Sequence, residues 1–537
     1  MGSIITYIYS YIVYFFSYFY RSSKKENEKI SHLFQYEKYK NKYYISSPPS
    51  SIKSSPKNVI SKEKGEIFIK YTQIDNITRT PNSKIIQVSD KKTRITKVIK
   101  SIQIKNNEQN YLDAVNEIKA LKYLNHPNII KIYEYFIKEK KTVDIVIEYL
   151  KGDNLFNTIK KYTNISEENT LCIMYQLFSC IKLSHEYGII HRDLKPENII
   201  IIDKQNLLIK LIDYGNCEIF SDNHNEVNRR IGTPSYVSPE IIDGKNYSYE
   251  SDIWSLGIIM YFMLSGKLPF EGASQIDIFN SIKNKYLYFN GDIWKNISED
   301  AKNLIKCMLI KDQNKRININ QVMESDWIKN GIKKYDIKRN LHDIDFTNEI
   351  IIKNILKFAE NKINQLQLFF LFYCVHNYID FLNHNELKQI IKEFIYYDKD
   401  LDGKLSINEF ENILNDNGIN NEQKTYISKK IFDIFGSDFI FYESFIVICM
   451  SNKNKFFGNS VQRVWQYLNR NKEFDDLIYN NYITVNDIKN IYKDDIDENL
   501  SKYNDDLWRK LYEDISISEK EPITYEKFKN MLKEMIF

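Results

Sequence analysis

An α+β unit followed by an all-α unit is the architecture that this chain of 537 residues predicts, and two stretches carry that reading. The first is HRDLKPEN, His191 to Asn198, flanked by the apolar runs Ile199 to Ile202 and Leu207 to Ile212. Those runs read as a short hairpin that delivers Asp213 in an Asp-Tyr-Gly turn. The second is DKDLDGKLSINE, Asp398 to Glu409, set between segments of helical apolar spacing, Glu386 to Tyr397 and Phe410 to Asn417. In the first stretch Asp193 is placed to accept the proton of an incoming hydroxyl, while Asn198 and Asp213 suit a metal ion on nucleotide phosphates.

Other parts flank the octet in a consistent order. Upstream, TKVIK ends in Lys100 on a predicted strand, where an ammonium can bind phosphates, and NEIKAL offers Glu117 from a helix to hold that lysine. Downstream, GTPSYVSPE at Gly232 to Glu240 ends in an acid that needs a cation, and Arg316 in KDQNKRI is assigned to it. Asp252 in SDIWSLG lies on a helix. This series resembles the protein kinases from roughly Tyr71 to Trp327, which implies a bilobal fold binding ATP with Mg2+. The resemblance implies that Asp252 steadies the catalytic loop and that Lys195 marks the serine/threonine branch. It also places the hinge at Glu148 to Leu150, after Ile147 as guard of the back pocket.

One part of that pattern differs. Counting back from Lys100 puts Ile85 where the family has a loop-closing valine, and Thr78, Thr80 and Ser83 where it has three glycines. Glycine serves there because backbone N–H groups must approach phosphates in torsions that side chains disfavour. Two readings follow: a kinase whose altered lid still covers ATP, with Pro81 and the hydroxyls forming a hairpin, or a pseudokinase acting as a calcium-responsive scaffold. Lys100, Glu117, Asp193, Asn198 and Asp213 are all present, and the lid contributes positioning more than chemistry, which favours the first.

The stretch from Asp398 carries carboxylates at positions 1, 3, 5 and 12, glycine at 6 and a hydrophobe at 8, the pattern of a Ca2+ loop. Asp398, Asp400 and Asp402 supply side chains, Lys404 a carbonyl, Ser406 a water-mediated contact and Glu409 two oxygens, while Leu405 is expected to pair with a partner loop. Three further helix-loop-helix units follow with lost ligands. Around Ile440 the last ligand is expected to be Glu443, with phenylalanine and isoleucine at the first and third positions. Around Ile483, Asp476, Asn480 and Asp487 are offset by Ile478; around Ile523, Lys527 stands at the twelfth position.

A kinase core joined to four such units resembles the calcium-dependent protein kinases, whose regulatory part looks like a fused calmodulin. The resemblance implies a junction helix that blocks the substrate cleft until calcium makes the regulatory lobe take hold of it. Ile350 to Ile379, with Lys353, Lys357 and Lys362 among apolar residues at helical spacing, fits that role. The expected division is residues 1–20 for membrane attachment, 21–66 as a flexible tether, 67–328 as kinase, 329–380 as junction, 381–450 as the first EF-hand pair and 451–537 as a degenerate second pair.

A net charge of +4 with scattered basic residues implies no nucleic-acid stripe, and six cysteines without metal spacing fit a reducing, cytoplasmic compartment. Met1-Gly2-Ser3-Ile4-Ile5-Thr6 matches the myristoylation pattern at Gly2. One acyl chain binds membranes only marginally, so Ile4 to Tyr20, with six tyrosines, and Arg21, Lys24 and Lys25 are read as the second signal for the cytosolic face of a membrane. A short signal anchor is the other reading of that segment. As partners the sequence implies proteins phosphorylated on serine or threonine. Glu197 suits a basic residue upstream of the target hydroxyl, weakened by Asn154 where the family often has a second acid. Arg192 beside Asp193 suits control by phosphorylation of the activation segment.

Overall fold

The computed structural model describes residues 66–219 apart from 81–82, 92–93, 105–107 and 139–141, then 232–335, 348–361 and 384–450 apart from 436, with short pieces at 363, 367–368, 371–372, 375, 482–483, 523–524, 526 and 530. The lipidation site Gly2, the membrane-attachment segment and nearly all of the tether lie outside the described residues. Among the described residues no helix is long and apolar enough to cross a membrane.

A short helix α1 (Glu66–Lys70) leads into β1 (Tyr71–Arg79), β2 (Ser83–Asp90) and β3 (Thr96–Gln103), then helix α2 (Glu108–Tyr123), β4 (Ile132–Lys138) and β5 (Thr142–Glu148). The five strands form one antiparallel sheet in the order β1-β2-β3-β5-β4. Alternation along β2 sorts its side chains. Ile86 and Val88 bury on one face with Ile67, Tyr71, Ile99, Tyr133 and Val146. Ile85, paired directly with Lys100, therefore takes the other face, toward the cleft.

The second lobe is helical. Two-residue β6 (Asp153–Asn154) precedes α3 (Leu155–Tyr162), which Asn154 caps by accepting from the Asn157 N–H at 2.8 Å. The long α4 (Glu167–Glu186) is capped by Ser166 and carries Glu167 and Glu168 in its first turn, which suits the helix dipole. After β7 (Ile189–Ile190) come β8 (Ile199–Asp203) and β9 (Leu208–Leu211), the hairpin read from the sequence, and β10 (Glu218–Ile219) returns to pair with β7. Helix α5 (Tyr249–Ser265), opened by a Ser248/Ser251 capping box, is apolar on all sides and buried from Ser251 to Leu264. Helices α6 (Gln275–Asn284), α7 (Glu299–Met308) and α8 (Asp326–Tyr335) complete the lobe.

Helix α9 (Asn348–Glu360) covers the start of the junction segment, but the single helix expected to reach 379 is broken: Asn361 is a bend and Ile363 is not helical. Asn361 explains the break, since asparagine competes with helix by local hydrogen bonding. Helices α10 (His384–Tyr397) and α11 (Ile407–Asp416) flank the loop from Asp398, and α12 (Asn421–Phe435) and α13 (Tyr442–Met450) flank a second loop. Strands β11 (Lys404–Ser406) and β12 (Phe439–Phe441) join the loops with Leu405 opposite Ile440, as the position-eight hydrophobes require. Farther on, β13 (Tyr482–Ile483) pairs with β14 (Ile523–Thr524), Ile483 opposite Ile523. α9 packs on α12 and α13, with Phe358 stacked on Phe435 at 5.6 Å and the Asn354 amide donating to the Cys449 carbonyl.

The β11–β12 register corrects one expectation. With Ile440 opposite Leu405, the counterpart of Glu409 is Ser444, and the counterpart of Glu443 is Asn408. Glu443 is therefore not the last ligand of the second loop. In this register Asp433 replaces phenylalanine at the first position, buried Phe435 replaces isoleucine at the third, and Ser444 stands at the twelfth.

Candidate active site and calcium loop

Strand β3 brings Lys100 into the cleft, where its ammonium donates to both Glu117 oxygens at 2.7 and 2.9 Å and to Asp213 at 2.8 Å. Burial works against the Lys100 charge, but Asp213 and Glu117 outweigh it and hold its pKa above the usual lysine range. Burial raises the Glu117 carboxyl, an effect that Lys100 opposes. Asp213 is also crowded, yet Lys100 and the Gly215 N–H bring its pKa down to about 2. Its side chain is 37% exposed, so this carboxylate faces the cleft as an anion.

Asp193 is held by three donors: the Lys195 ammonium at 2.7 Å, the Thr233 hydroxyl at 3.1 Å and the Asn216 amide at 3.3 Å. Lys195 also reaches the Thr233 oxygen at 3.1 Å, and the Asn198 amide donates to the Asp193 carbonyl at 3.0 Å. The frame below is rigid. Asp252, buried on α5, accepts from the His191 and Arg192 N–H groups at 2.9 and 3.0 Å. Arg316 grips Glu240 with two hydrogen bonds at 2.7 and 2.9 Å, as assigned. Tyr214 lies buried against His191, with ring centroids 4.7 Å apart, and its hydroxyl meets that of Ser184 at 3.0 Å. The Arg192 guanidinium engages Glu218.

The glycine-free lid closes by its hydroxyls. Thr80 Oγ1 lies 2.8 Å from Ser83 Oγ and accepts the Ser83 N–H at 3.0 Å, and Thr78 pairs with Ile85 across the β1–β2 ladder. At the hinge Ile147 and Leu150 pack against the main core. The Glu148 side chain turns away from the cleft, accepting from the Lys131 N–H and the Lys210 ammonium, both at 2.7 Å.

In the loop from Asp398, oxygens of Asp398, Asp400 and Glu409 lie within 4.8 Å of one another. Asp402 stands apart, leaning on the Lys404 ammonium at 3.5 Å. Glu409 accepts from the Lys399 and Ser406 N–H groups at 2.7 and 2.9 Å, and Gly403 sits at φ +76°. Burial and the neighbouring carboxylates of Asp402, Asp400 and Glu409 push the Asp398 carboxyl well up. This loop lies against the kinase lobe. The Ser179 hydroxyl donates to the Leu401 carbonyl at 3.2 Å, Lys182 to the Asp400 carbonyl at 2.6 Å, and Lys404 pairs with Glu186 at 3.2 Å.

The protein kinase domain family matches residues 71–328. Calcium-dependent protein kinase 3 of Plasmodium berghei (strain Anka) is 32% identical over 374 residues, 69% of this chain and 64% of that relative. Calcium-dependent protein kinase 5 of Plasmodium falciparum (isolate 3D7) is 33% identical over 371 residues, 68% of this chain and 62% of that relative. Residues 71–328 thus form a protein kinase domain, and the chain is similar to calcium-dependent protein kinases over 68–69% of its length. Its match spans a little under two thirds of the length of these relatives.

Within this kinase-family site, Lys100, Glu117 and Asp213 converge, as do Asp193, Lys195 and Asn198. Two residues at the centre were not singled out by sequence reasoning, Thr233 and Asn216. Their signal was positional: Thr233 follows Gly232 in the segment already matched, and Asn216 follows the Asp-Tyr-Gly turn.

Proposed function

We propose that this chain is a member of the calcium-dependent protein kinases, a calcium-regulated serine/threonine kinase that transfers the γ-phosphate of ATP to protein hydroxyls. The observation that carries it is the joining of Lys100, Glu117 and Asp213 in one cleft with an Asp193 oriented by three donors. In this reading Lys100 holds the nucleotide phosphates and Glu117 fixes Lys100. The Asp213 carboxylate and the Asn198 amide oxygen hold magnesium, a donor set that suits a hard cation completed by phosphate and water. Held there, the metal would supply charge neutralisation for the transferred phosphoryl. Asp193 accepts the substrate hydroxyl proton, and Lys195 and Thr233 keep its carboxylate aimed. Ile85, Thr78 and Ser83 roof the nucleotide, whose adenine meets the hinge at Glu148 to Leu150.

The loop's Asp398, Asp400, Asp402 and Glu409 carboxylates and the Lys404 carbonyl would hold calcium, the ion that would set the regulatory lobe. The junction helix α9, gripped by α12 and α13, supports a switch in which the regulatory lobe removes that segment from the substrate cleft. Basic residues upstream of the target suit Glu197, one of whose oxygens is buried without a hydrogen-bond partner. Asn154 is committed to capping α3, which fits the weakened second subsite. Membrane attachment rests on the sequence pattern at Gly2 to Lys25.

The test is phosphate transfer from ATP to a basic serine peptide, with calcium and with chelator, by wild type and Asp193→Asn. Calcium-stimulated transfer lost in the mutant is the expected result. Wild type no faster than the mutant makes the chain a calcium-responsive scaffold.

A further inference from the structure

The second hand of the first pair keeps Asp433 at its first position but has Phe435 at the third and Ser444 at the twelfth, and the residue before that twelfth position is buried and charged. Glu443 is 4% exposed, whereas its counterpart in the calcium loop, Asn408, is exposed as that position ordinarily is. Burying a carboxylate without a cation is costly, so Glu443 needs a reason to be inside. The Lys131 ammonium, 3.2 Å away across the domain boundary, supplies one.

Lys131 is well placed to report that contact. Its ammonium also donates to the Val375 carbonyl at 3.5 Å, so it touches both the second hand and the end of the junction segment. Its backbone is bonded to the hinge in both directions: the Lys131 N–H donates to the Glu148 carboxylate at 2.7 Å, and the Glu148 N–H donates to the Lys131 carbonyl at 3.0 Å. Lys210, buried on β9 three residues before Asp213, donates to the same Glu148 oxygen at 2.7 Å and to the Ile129 carbonyl at 3.0 Å. Glu443 immediately follows Tyr442, itself buried and close enough to Glu148 to feel its charge, and β12 just before them is laddered to β11 of the calcium loop.

We propose that the Glu443–Lys131 pair clips the regulatory lobe to the hinge and makes nucleotide affinity depend on that docking. The chain Glu443–Lys131–Glu148–Lys210 then runs from the regulatory lobe through the hinge to β9, the strand that leads to Asp213. The first hand takes calcium and the second takes the kinase, and the two are coupled through the Leu405–Ile440 rung. The idea rests on the kinase reading above only in taking Glu148 as the hinge that borders the nucleotide.

The test is Mg·ADP affinity of the full-length, calcium-saturated chain by titration calorimetry for wild type, Lys131→Glu, Glu443→Lys and the double swap. Each single reversal is expected to weaken binding by about fivefold or more, and the swap to recover to within about twofold of wild type. Glu443→Gln, which keeps the side-chain size, is expected to weaken it in the same direction and guards against misfolding of the reversals. Singles that bind like wild type, or a swap no tighter than the weaker single, overturn the proposal. Wild type that binds Mg·ADP but shows no calcium-stimulated transfer refutes the kinase reading and leaves this cycle fully readable.

Discussion

Gly403→Ala probes the seat of the Asp398–Glu409 loop on the kinase lobe. Gly403 has φ +76°, and a methyl there would lie 2.9 Å from His126 Cδ2 and 3.4 Å from Leu183 Cδ2. His126 has little room to yield, being buried, 2.8 Å from Ser179 Oγ and accepting the Asn128 N–H at 3.0 Å. The left-handed torsion costs about 1–2 kcal/mol for a residue with a side chain. Overpacking against a fixed neighbour adds about 1–3 kcal/mol. Gly418 supplies the control, because it has the same φ of +76° and nothing within 4 Å of the added methyl. Gly418→Ala should thus show the torsional cost alone, and Gly403→Ala about 1–3 kcal/mol more. Denaturant unfolding with chelator present measures both, and His126→Ala in the Gly403→Ala background should recover much of the excess. Equal losses for the two glycines would refute the docking of this loop on His126.

Four further outcomes are expected. Arg316→Ala leaves the buried Glu240 carboxylate without its cation and should cost about 3–5 kcal/mol in thermal or denaturant unfolding. Thr233→Val removes one of three donors to Asp193 and should lower kcat about tenfold with little change in Mg·ADP affinity, read by steady-state kinetics and calorimetry. Calcium titration should find one ion in the first pair, lost in Glu409→Gln and not doubled by Ser444→Glu, because Phe435 still fills a ligand position. Acid should unfold the kinase lobe partly through His126, whose pKa burial brings down to about 3. Because the unfolded chain binds the proton more readily, this contribution is complete above about pH 6.5 and lost toward pH 3, at about 1.4 kcal/mol per pH unit. His126→Gln should flatten the stability curve across that window.

Much of the site was legible because its residues act through short, fixed spacings. Asp193 to Asn198 and Asp398 to Glu409 each lie in one loop, and the Ile483–Ile523 and Leu405–Ile440 rungs follow from the position-eight rule. The Lys100–Glu117 and Glu240–Arg316 pairs span long separations and were reached only through the family pattern. What escaped depends on contacts no local spacing encodes. The docking of Asp400, Leu401 and Gly403 on α4, and of Glu443 on Lys131, joins segments more than two hundred residues apart. The second loop was misread by one register because an apolar run, Phe439 to Tyr442, offers no ligand pattern to count from; only the ladder fixes it. Asn361 ended a helix whose apolar spacing continues beyond it.

The central claim is that Lys100, Glu117, Asp213, Asn198 and Asp193 form a working nucleotide site beneath a roof without glycine. Calorimetric titration of ATP into the purified chain, with and without magnesium and at saturating calcium, tests it most directly. Saturable, magnesium-dependent binding that Asp213→Asn abolishes is the expected result. No binding at millimolar ATP, or binding indifferent to both magnesium and Asp213→Asn, would contradict it.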